Sequence, residues 1–209
     1  MSSVAYSGRT NPVVLHTHLT AAPRGAVGDK AAAHTAITES FVAALTVVGK
    51  QIKALEAQIS TQLARHADRH IFTSLPRSGQ VRAARLLAEI GDCRAKFPTA
   101  EALICLAGTA PSTRQSGKSR VVGFRWACDK QLRDAVCDFA GDSIKANPWA
   151  ANLYWQARQR GHDHPHAVRV LARARITVIW HCWHDGVAYD PTKHRALQRL
   201  INQDQQAVG

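Results

Sequence analysis

The 209-residue sequence has few acidic residues, no closely spaced cysteine pairs and no obvious membrane-length apolar run. Its five cysteines are odd in number and none lies in a C-x-x-C arrangement, which excludes a disulfide framework and a ribbon-type zinc site. The first residues lack a charged segment followed by an apolar one, as a secretory signal would require. No stretch approaches the roughly eighteen consecutive apolar residues of a membrane helix. We therefore predict a cytoplasmic protein without a membrane partner.

Basic residues outnumber acidic ones by 27 to 15, which gives a formal net charge of +12 and an isoelectric point near 10.1. The excess is uneven, because residues 74–209 hold 20 basic and 11 acidic residues and so carry nine of the twelve net charges. Such a chain favours a polyanionic partner. Self-repulsion that keeps a protein in solution is the alternative, and composition alone favours neither strongly.

A long helix is predicted over residues 34–70, after a loose leader at residues 1–33 that has Gly, Pro and Ser but no apolar periodicity. Steps of three and four residues place the apolar side chains on one stripe of a coiled-coil type. This stripe needs a covering helix, either from a second chain in a homo-oligomer or from the protein's own domain. Its members are Ile37, Phe41, Leu45, Val48, Ile52, Leu55, Ile59 and Leu63.

Residues 71–190 read as several short helices separated by turns, followed by a polar tail at 191–209 that forms at most a short helix. Strand alternation is absent apart from a weak apolar hint at Val121 and Val122. The predicted fold class is therefore mainly α, with the coiled-coil-type helix followed by a compact multi-helix domain.

The turn between Leu75 and Gly79 has the layout of a helix-hairpin-helix element, in which backbone N–H groups at a helix start hold a DNA phosphate. Arg77, Ser78 and Gly79 are the candidate DNA contacts of this turn. Arg77 stands where the motif usually has its first glycine, which would keep the backbone further from a phosphate. An ordinary helix-to-helix corner is the alternative.

A strongly basic segment lies between Thr109 and Arg133, and its first part, residues 109–126, has the composition of a loop. Ser116 and Ser119 lie within it, next to a flexible glycine. A serine that attacks phosphorus needs cations to screen the phosphate and a base to accept its proton. The segment supplies cations but no base beside the serines, so the residues alone favour a solvated basic loop over a catalytic one. Its cations are Arg114, Lys118, Arg120, Arg125, Lys130 and Arg133.

Histidines and tryptophans offer two further possibilities. His162, His164 and His166 alternate before a proline-initiated helix and point to different sides, which does not suit a metal site. The tryptophans could stack on nucleic-acid bases, but their helical spacing favours packing in a core or between subunits. They are Trp126, Trp149, Trp155, Trp180 and Trp183.

From about Ile71 to Pro191 the sequence resembles the insertion sequence 110 family of transposases, which is also described with the 116 and 902 groups. The resemblance rests on the order and spacing of short motifs. These are Ser74–Gly79, Leu86–Asp92, Leu106–Pro111, Gln115–Gly117, Phe124–Cys128, His164–Ala167 and Tyr189–Pro191.

The resemblance implies DNA transposition by an enzyme with an N-terminal ribonuclease-H-like domain, whose four acids bind divalent metal, and a C-terminal domain whose serine attacks DNA. It also implies a structured guide RNA and an oligomer, here through the helix at residues 37–63. Carried onto this sequence, the nucleophile is Ser116, with Ser119 as its rival, and the neighbouring cations contact phosphate. About seventy residues before the match cannot hold the acidic domain, so we expect a truncated C-terminal part that is inactive alone and holds no cofactor. A non-catalytic DNA- or RNA-binding module is the alternative.

Overall fold

A computed structural model describes residues 11–22 and 28–208 of the chain, except for the side chains of residues 204 and 206–208. These residues are mainly helical with one small sheet, which confirms the predicted fold class. The chain divides into two units, Met1–Lys53 and Ala54–Gly209. The elements are α1 Pro12–Ala21, α2 Asp29–Arg65, α3 Arg69–Ser74, α4 Gly79–Ile90, a 3-10 turn Arg94–Lys96, α5 Ala100–Leu106, β1 Ser112–Ser116, β2 Ser119–Gly123, α6 Lys130–Ser143, α7 Pro148–Gln159, α8 His164–His184 and α9 Arg195–Val208.

Helix α1 lies inside the segment that the sequence predicted to be a loose leader, so that prediction is wrong for residues 12–21. Pro12 opens the helix, and the Asn11 side chain accepts a hydrogen bond from the Val13 backbone N–H at 2.9 Å. Both are strong local start signals. None of the α1 residues is buried within the chain. The rest of the predicted leader lies partly outside the described residues.

Helix α2 is a single helix of 37 residues that begins and ends five residues before the predicted limits. Its apolar stripe is exposed in the isolated chain, with Phe41 65% and Leu45 69% accessible, whereas Leu63 near its end is buried. An eighteen-residue window of α2 has a mean hydropathy of 1.4, so the helix is long and apolar enough to cross a membrane by length and composition alone. Polar residues within the window hide this property from a search for consecutive apolar residues. Core helices and signal sequences pass the same test, which therefore does not assign a membrane span.

Helix α8 is the centre of the second unit and packs against α3, α5, α6 and α7. It begins where the Asp163 side chain accepts a hydrogen bond from the His166 N–H at 2.8 Å, and Pro165 lies in its first turn. Burial of its apolar face supplies the main driving force for this packing. The fully buried side chains of that face include Leu171, Ile176, Ile179 and Trp183.

The predicted polar tail is wrong in its first part, because α9 packs against α7. Leu197 is only 5% exposed. Just before α9, the His194 ring contacts Trp149 at 4.5 Å between centroids and shares a 2.8 Å hydrogen bond with the Tyr189 hydroxyl. These contacts join the start of the tail to the hydrophobic core.

Strands β1 and β2 correct the prediction of a loop at residues 109–126. They form a two-stranded antiparallel hairpin whose residues are almost all exposed. Strand recognition from sequence depends on one apolar face that alternates with a polar one. A hairpin with no buried face lacks that alternation, which explains why only Val121 and Val122 hinted at it.

Candidate nucleic-acid interface

Backbone hydrogen bonds connect the residues before and after the hairpin to α5 of the helical core. The Asp129 backbone N–H donates to the Leu106 carbonyl at 2.8 Å, and the Asp129 carboxylate caps the start of α6. Thr109 donates from its backbone N–H to the Ile104 carbonyl at 3.2 Å. The helix before the hairpin and the helix after it are therefore linked directly. The hairpin leaves the core from a defined position.

Gly108 permits these hydrogen bonds because the backbone at Gly108 passes close to the Cys128 side chain. Its φ is +64°, and a Cβ built on it would lie 2.6 Å from the Cβ of Cys128. Both the left-handed conformation and the lack of space require glycine. The contact of Gly108 with Cys128 depends on the tertiary structure.

Strand register decides which side chains share a face of the hairpin. Ser116 pairs with Ser119 on the two sides of the turn, and Arg114 pairs with Val121. Directly paired residues point to the same side, and successive residues alternate. Arg114 and both serines therefore lie on one face. Arg120, which pairs with Gln115, lies on the other.

The tip of the hairpin is exposed and carries uncompensated positive charge. Ser116, Arg114, Lys118 and Arg120 are all accessible to solvent. Within the described part of the chain, none of these three cations forms an ion pair with an acid. The tip that carries Ser116 therefore holds three positive charges and no acidic side chain. No His, Asp or Glu side chain belongs to the hairpin itself.

The other predicted cations of this segment lie nearer the core. Arg125 is half-buried, Lys130 is exposed at the start of α6, and Arg133 forms an ion pair with Asp134 at 3.3 Å. The Arg133 guanidinium also lies 5.8 Å from the centre of the Phe124 ring. The structure therefore does not gather all six cations around Ser116.

The turn at Leu75–Gly79 has the geometry of the alternative interpretation, a corner held by ion pairs. Arg77, with φ +64°, is bound to the Asp142 carboxylate at 3.1 Å, and this Arg77 hydrogen bond is the main reason why the pKa of Asp142 lies below its usual range. Ser78 is 2% exposed. Arg82 pairs with Asp142 and with Asp138. Arg77 and Arg82 already bind the carboxylates beside the start of α4. The proposed interface therefore rests on the hairpin, and Arg77, Ser78 and Gly79 stay a prediction.

A second group of cations, which the sequence analysis missed, lies where the base of the hairpin faces α8. Arg125, Arg169 and Arg173 line a cleft of about 370 Å³ together with His166. Burial, and then the charges of His162 and Arg169, lower the pKa of His166. Spacing of three and four residues along α8 could have indicated that His166, Arg169 and Arg173 share a face.

Among the described residues, no group of three or more His, Cys, Asp or Glu side chains could hold a metal ion. The His162 and His166 rings stack on each other at 3.9 Å between centroids, and His164 shares a 2.8 Å hydrogen bond with the Tyr154 hydroxyl. The divalent metal that the resemblance implies therefore has no fitting ligands in this part of the chain.

An exposed hairpin with uncompensated positive charge, on a helical core, defines a candidate nucleic-acid-binding protein. Residues 69–155, which include the hairpin, match the model of the transposase IS116/IS110/IS902 family. The chain belongs to this family.

Two curated relatives illustrate the similarity. The chain is 37% identical to the insertion element IS110 uncharacterized 43.6 kDa protein of Streptomyces coelicolor, over 74% of this chain and 38% of the relative. It is 32% identical to the insertion element IS900 uncharacterized 42 kDa protein of Mycobacterium paratuberculosis, over 77% of this chain and 43% of the relative. The chain thus spans about two-fifths of the length of these relatives.

Proposed function

We propose that this chain binds DNA through the hairpin and acts in DNA transposition as the serine-bearing part of a transposase. The observation that carries the proposal is the exposed tip, where Arg114, Lys118 and Arg120 have no acidic partner among the described residues. The family match across this segment supports it.

Binding to the DNA backbone is tested by its dependence on salt. Each phosphate contact releases counterions, so the logarithm of the affinity for duplex DNA falls with the logarithm of salt concentration by about 0.9 per contact. Arg114→Ala, Lys118→Ala and Arg120→Ala should each weaken binding and reduce this slope by up to about 1. Arg199→Ala, a change of an exposed arginine on α9, is the matched control. Unchanged slopes in all three hairpin variants would reject the hairpin as the DNA-binding surface.

We propose Ser116 as the nucleophile on the face that it shares with Arg114. Attack by Ser116 Oγ would form an Oγ–P bond and break one phosphodiester P–O bond, so that a deoxyribose hydroxyl leaves. Arg114 is placed to stabilise the negative charge that develops on the phosphate oxygens. The hairpin contributes no carboxylate or imidazole, so the group that accepts the serine proton must come from elsewhere in an assembled complex.

The assignment is tested by a covalent protein–DNA adduct, formed when the full chain is combined with a relative's acidic domain, guide RNA and end-labelled DNA. Ser116→Ala should abolish the adduct without weakening DNA binding, and Ser119→Ala should retain it. If Ser119→Ala loses the adduct and Ser116→Ala keeps it, Ser119 is the nucleophile. Failure of the native chain to form an adduct, despite binding DNA, would favour the alternative of a non-catalytic binding module.

We further propose that the α2 stripe joins copies of the chain. Phe41 and Leu45 are more than 60% exposed, and covering such side chains in a helix pair is favourable. Sedimentation should show an oligomer that Phe41→Lys with Leu45→Lys converts to monomers. A native chain that stays monomeric at high concentration would contradict this proposal.

A structured guide RNA is proposed as a second nucleic-acid partner, because backbone contacts from arginine and lysine do not distinguish RNA from DNA. Structured RNA should compete with duplex DNA for the native chain, and the hairpin variants should weaken both. Binding of RNA that is unaffected by all three hairpin variants would place the RNA on another surface.

A further inference from the structure

Trp126 is the most exposed of the large apolar side chains in the described residues, with 81% of its surface accessible. It follows β2 and meets the Phe124 ring edge to face, with centroids 4.9 Å apart. The Arg169 guanidinium lies 4.7 Å from the centre of the Phe124 ring. Phe124 is thus supported by Arg169 and in turn supports Trp126. Trp126 therefore lies outside the core, which leaves packing between subunits and base stacking from the sequence interpretation.

The cleft that Phe124 lines combines apolar walls with cations. Pro111, Val122 and Val170 form part of the walls, and Arg125, Arg169 and Arg173 supply charge. None of these three arginines forms an ion pair within the described ranges of the chain. The Nε of Arg125 is buried without a hydrogen-bond partner there.

The unpaired arginines, the buried Arg125 Nε and the exposed indole together suit an anionic ligand that also has a flat apolar face. Three neighbouring cations repel each other unless an anion lies between them, and a buried N–H without an acceptor costs free energy that a ligand oxygen would recover. An exposed indole that packs on Phe124, a ring in contact with the Arg169 guanidinium, resembles the sites on which unpaired bases stack. The cleft, at about 370 Å³, is of the size that small ligands fill.

We propose that Trp126 and this cleft bind one unpaired nucleotide of a nucleic-acid strand, with the base on the indole and a phosphate near Arg169 and Arg173. The inference rests on the proposed function and specifies the substrate as locally single-stranded. Both faces of a base inside an intact duplex are already stacked, so such a base cannot occupy the indole.

The hairpin sets the spacing between this site and the proposed nucleophile. Four residue steps separate the pair Ser112 and Gly123 at the base from the pair Ser116 and Ser119 at the tip. At about 3.4 Å per residue this is roughly 14 Å, which corresponds to about four steps of a duplex. The unpaired nucleotide would therefore lie a few positions from the phosphate at Ser116.

The test compares an oligothymidine of about twelve nucleotides with an abasic strand of equal length and charge, by fluorescence anisotropy on the full chain. Stacking contributes about 1–3 kcal/mol per base, so the native protein should prefer the thymidine strand by about tenfold. Trp126→Ala should abolish the preference and Trp126→Phe should keep most of it. Trp155→Ala, which removes an indole 56% exposed on α7, is the control that should leave the preference intact.

Further arms identify the source of the nucleotide and separate stacking from charge. Oligouridine in place of oligothymidine distinguishes RNA from DNA, since the site should favour the strand that it holds in the native complex. Arg173→Ala should reduce the salt slope by about 0.7 on both the thymidine and the abasic strand and leave the base preference unchanged.

Three results would overturn the inference. They are a native chain without base preference, a preference that survives in Trp126→Ala, and an equal loss of affinity for both strands in that variant. A native chain that binds no nucleic acid at all would overturn the proposed function itself, which keeps the two failures distinguishable.

Discussion

Ser116 and Ser119 face each other across the two-residue turn formed by Gly117 and Lys118. Gly117 has a φ of +54°, a conformation that glycine adopts readily in such a turn. Because the pair is directly opposite, both hydroxyls lie on the face of Arg114. Register, and not proximity in sequence, therefore determines which cation shares the face of the two serines.

The register of β1 and β2 predicts which pairs of engineered cysteines can form a disulfide. Directly opposite residues have Cα atoms about 4.5–5.5 Å apart, within the range of a disulfide. Ser116→Cys with Ser119→Cys should therefore oxidise to a disulfide, detected by mass spectrometry of non-reduced peptides. Gln115→Cys with Ser119→Cys is the control, since its side chains lie on opposite faces. Efficient bridging of the control pair would show a different register.

Gly108→Ala should be markedly more destabilising than Gly186→Ala. Both glycines follow a helix end with the same backbone hydrogen-bond pattern and have similar positive φ values, +64° and +68°, which cost an alanine about 1–2 kcal/mol. A methyl group at Gly108 would also collide with Cys128, whereas the position at Gly186 is open. Overpacking adds about 1–3 kcal/mol. Urea unfolding should reveal this difference, and equal losses in the two variants would show that the contact with Cys128 adjusts without cost.

The contacts of the Asp68 carboxylate should make the stability of the fold decrease in acid. Its carboxylate accepts hydrogen bonds from Arg94 at 2.7 Å and from the Trp183 ring N–H at 3.1 Å. Burial raises the pKa of Asp68, but Arg94 and Trp183 together outweigh this effect and leave the pKa below its usual value. A lowered folded-state pKa means that this stabilisation is present above the unfolded-state pKa, near 4, and is lost as the pH falls through the folded-state value.

Asp68→Asn should therefore lower the free energy of unfolding at neutral pH by about 1–3 kcal/mol. It should also flatten the dependence of stability on pH below about 4, measured by urea unfolding at several pH values. Asp92→Asn, a change of a carboxylate that is 78% exposed, is the control and should have little effect at neutral pH. An unchanged acid dependence in Asp68→Asn would contradict the assigned role.

The buried position of Arg175 should let the fold tolerate a substitution that removes its charge. It is 1% exposed, and burial lowers its pKa to about 10. Its Nε donates to Ser143 at 3.2 Å, while both terminal nitrogens lack a partner among the described residues. Replacing a poorly paired buried ion by an apolar side chain of similar size is often neutral or stabilising.

Arg175→Met should accordingly leave the free energy of unfolding, measured by urea unfolding, within about 1 kcal/mol of the native value or raise it. Phe139→Ala, which removes a ring 5.4 Å from the guanidinium, should cost about 3–5 kcal/mol and shows the scale of an ordinary core deletion. A comparable loss in Arg175→Met would show that the guanidinium has an essential partner.

Local patterns predicted much of the helical framework. The apolar stripe predicted a long helix, and the structure has α2 there, displaced by five residues. A proline-initiated helix was predicted after the alternating histidines, and Pro165 lies in the first turn of α8. The polar hairpin could not be recognised in this way because it buries no face. Likewise, Asn11–Pro12 is a helix-start signal, but the helix that follows has no apolar periodicity to reveal it.

The sequence by itself determined the mainly α fold, the family and the concentration of charge around Ser116, because helical periodicity, motif order and composition are local properties. Only the tertiary structure decided that Arg77 binds Asp142, that Arg114 and not Arg120 shares the face of Ser116, and that Arg169 meets Phe124 beside an exposed Trp126. Such relationships join residues far apart in the chain or depend on strand register. Neither is encoded in the spacing of neighbouring residues, since each arises only when the helices bury their apolar faces together.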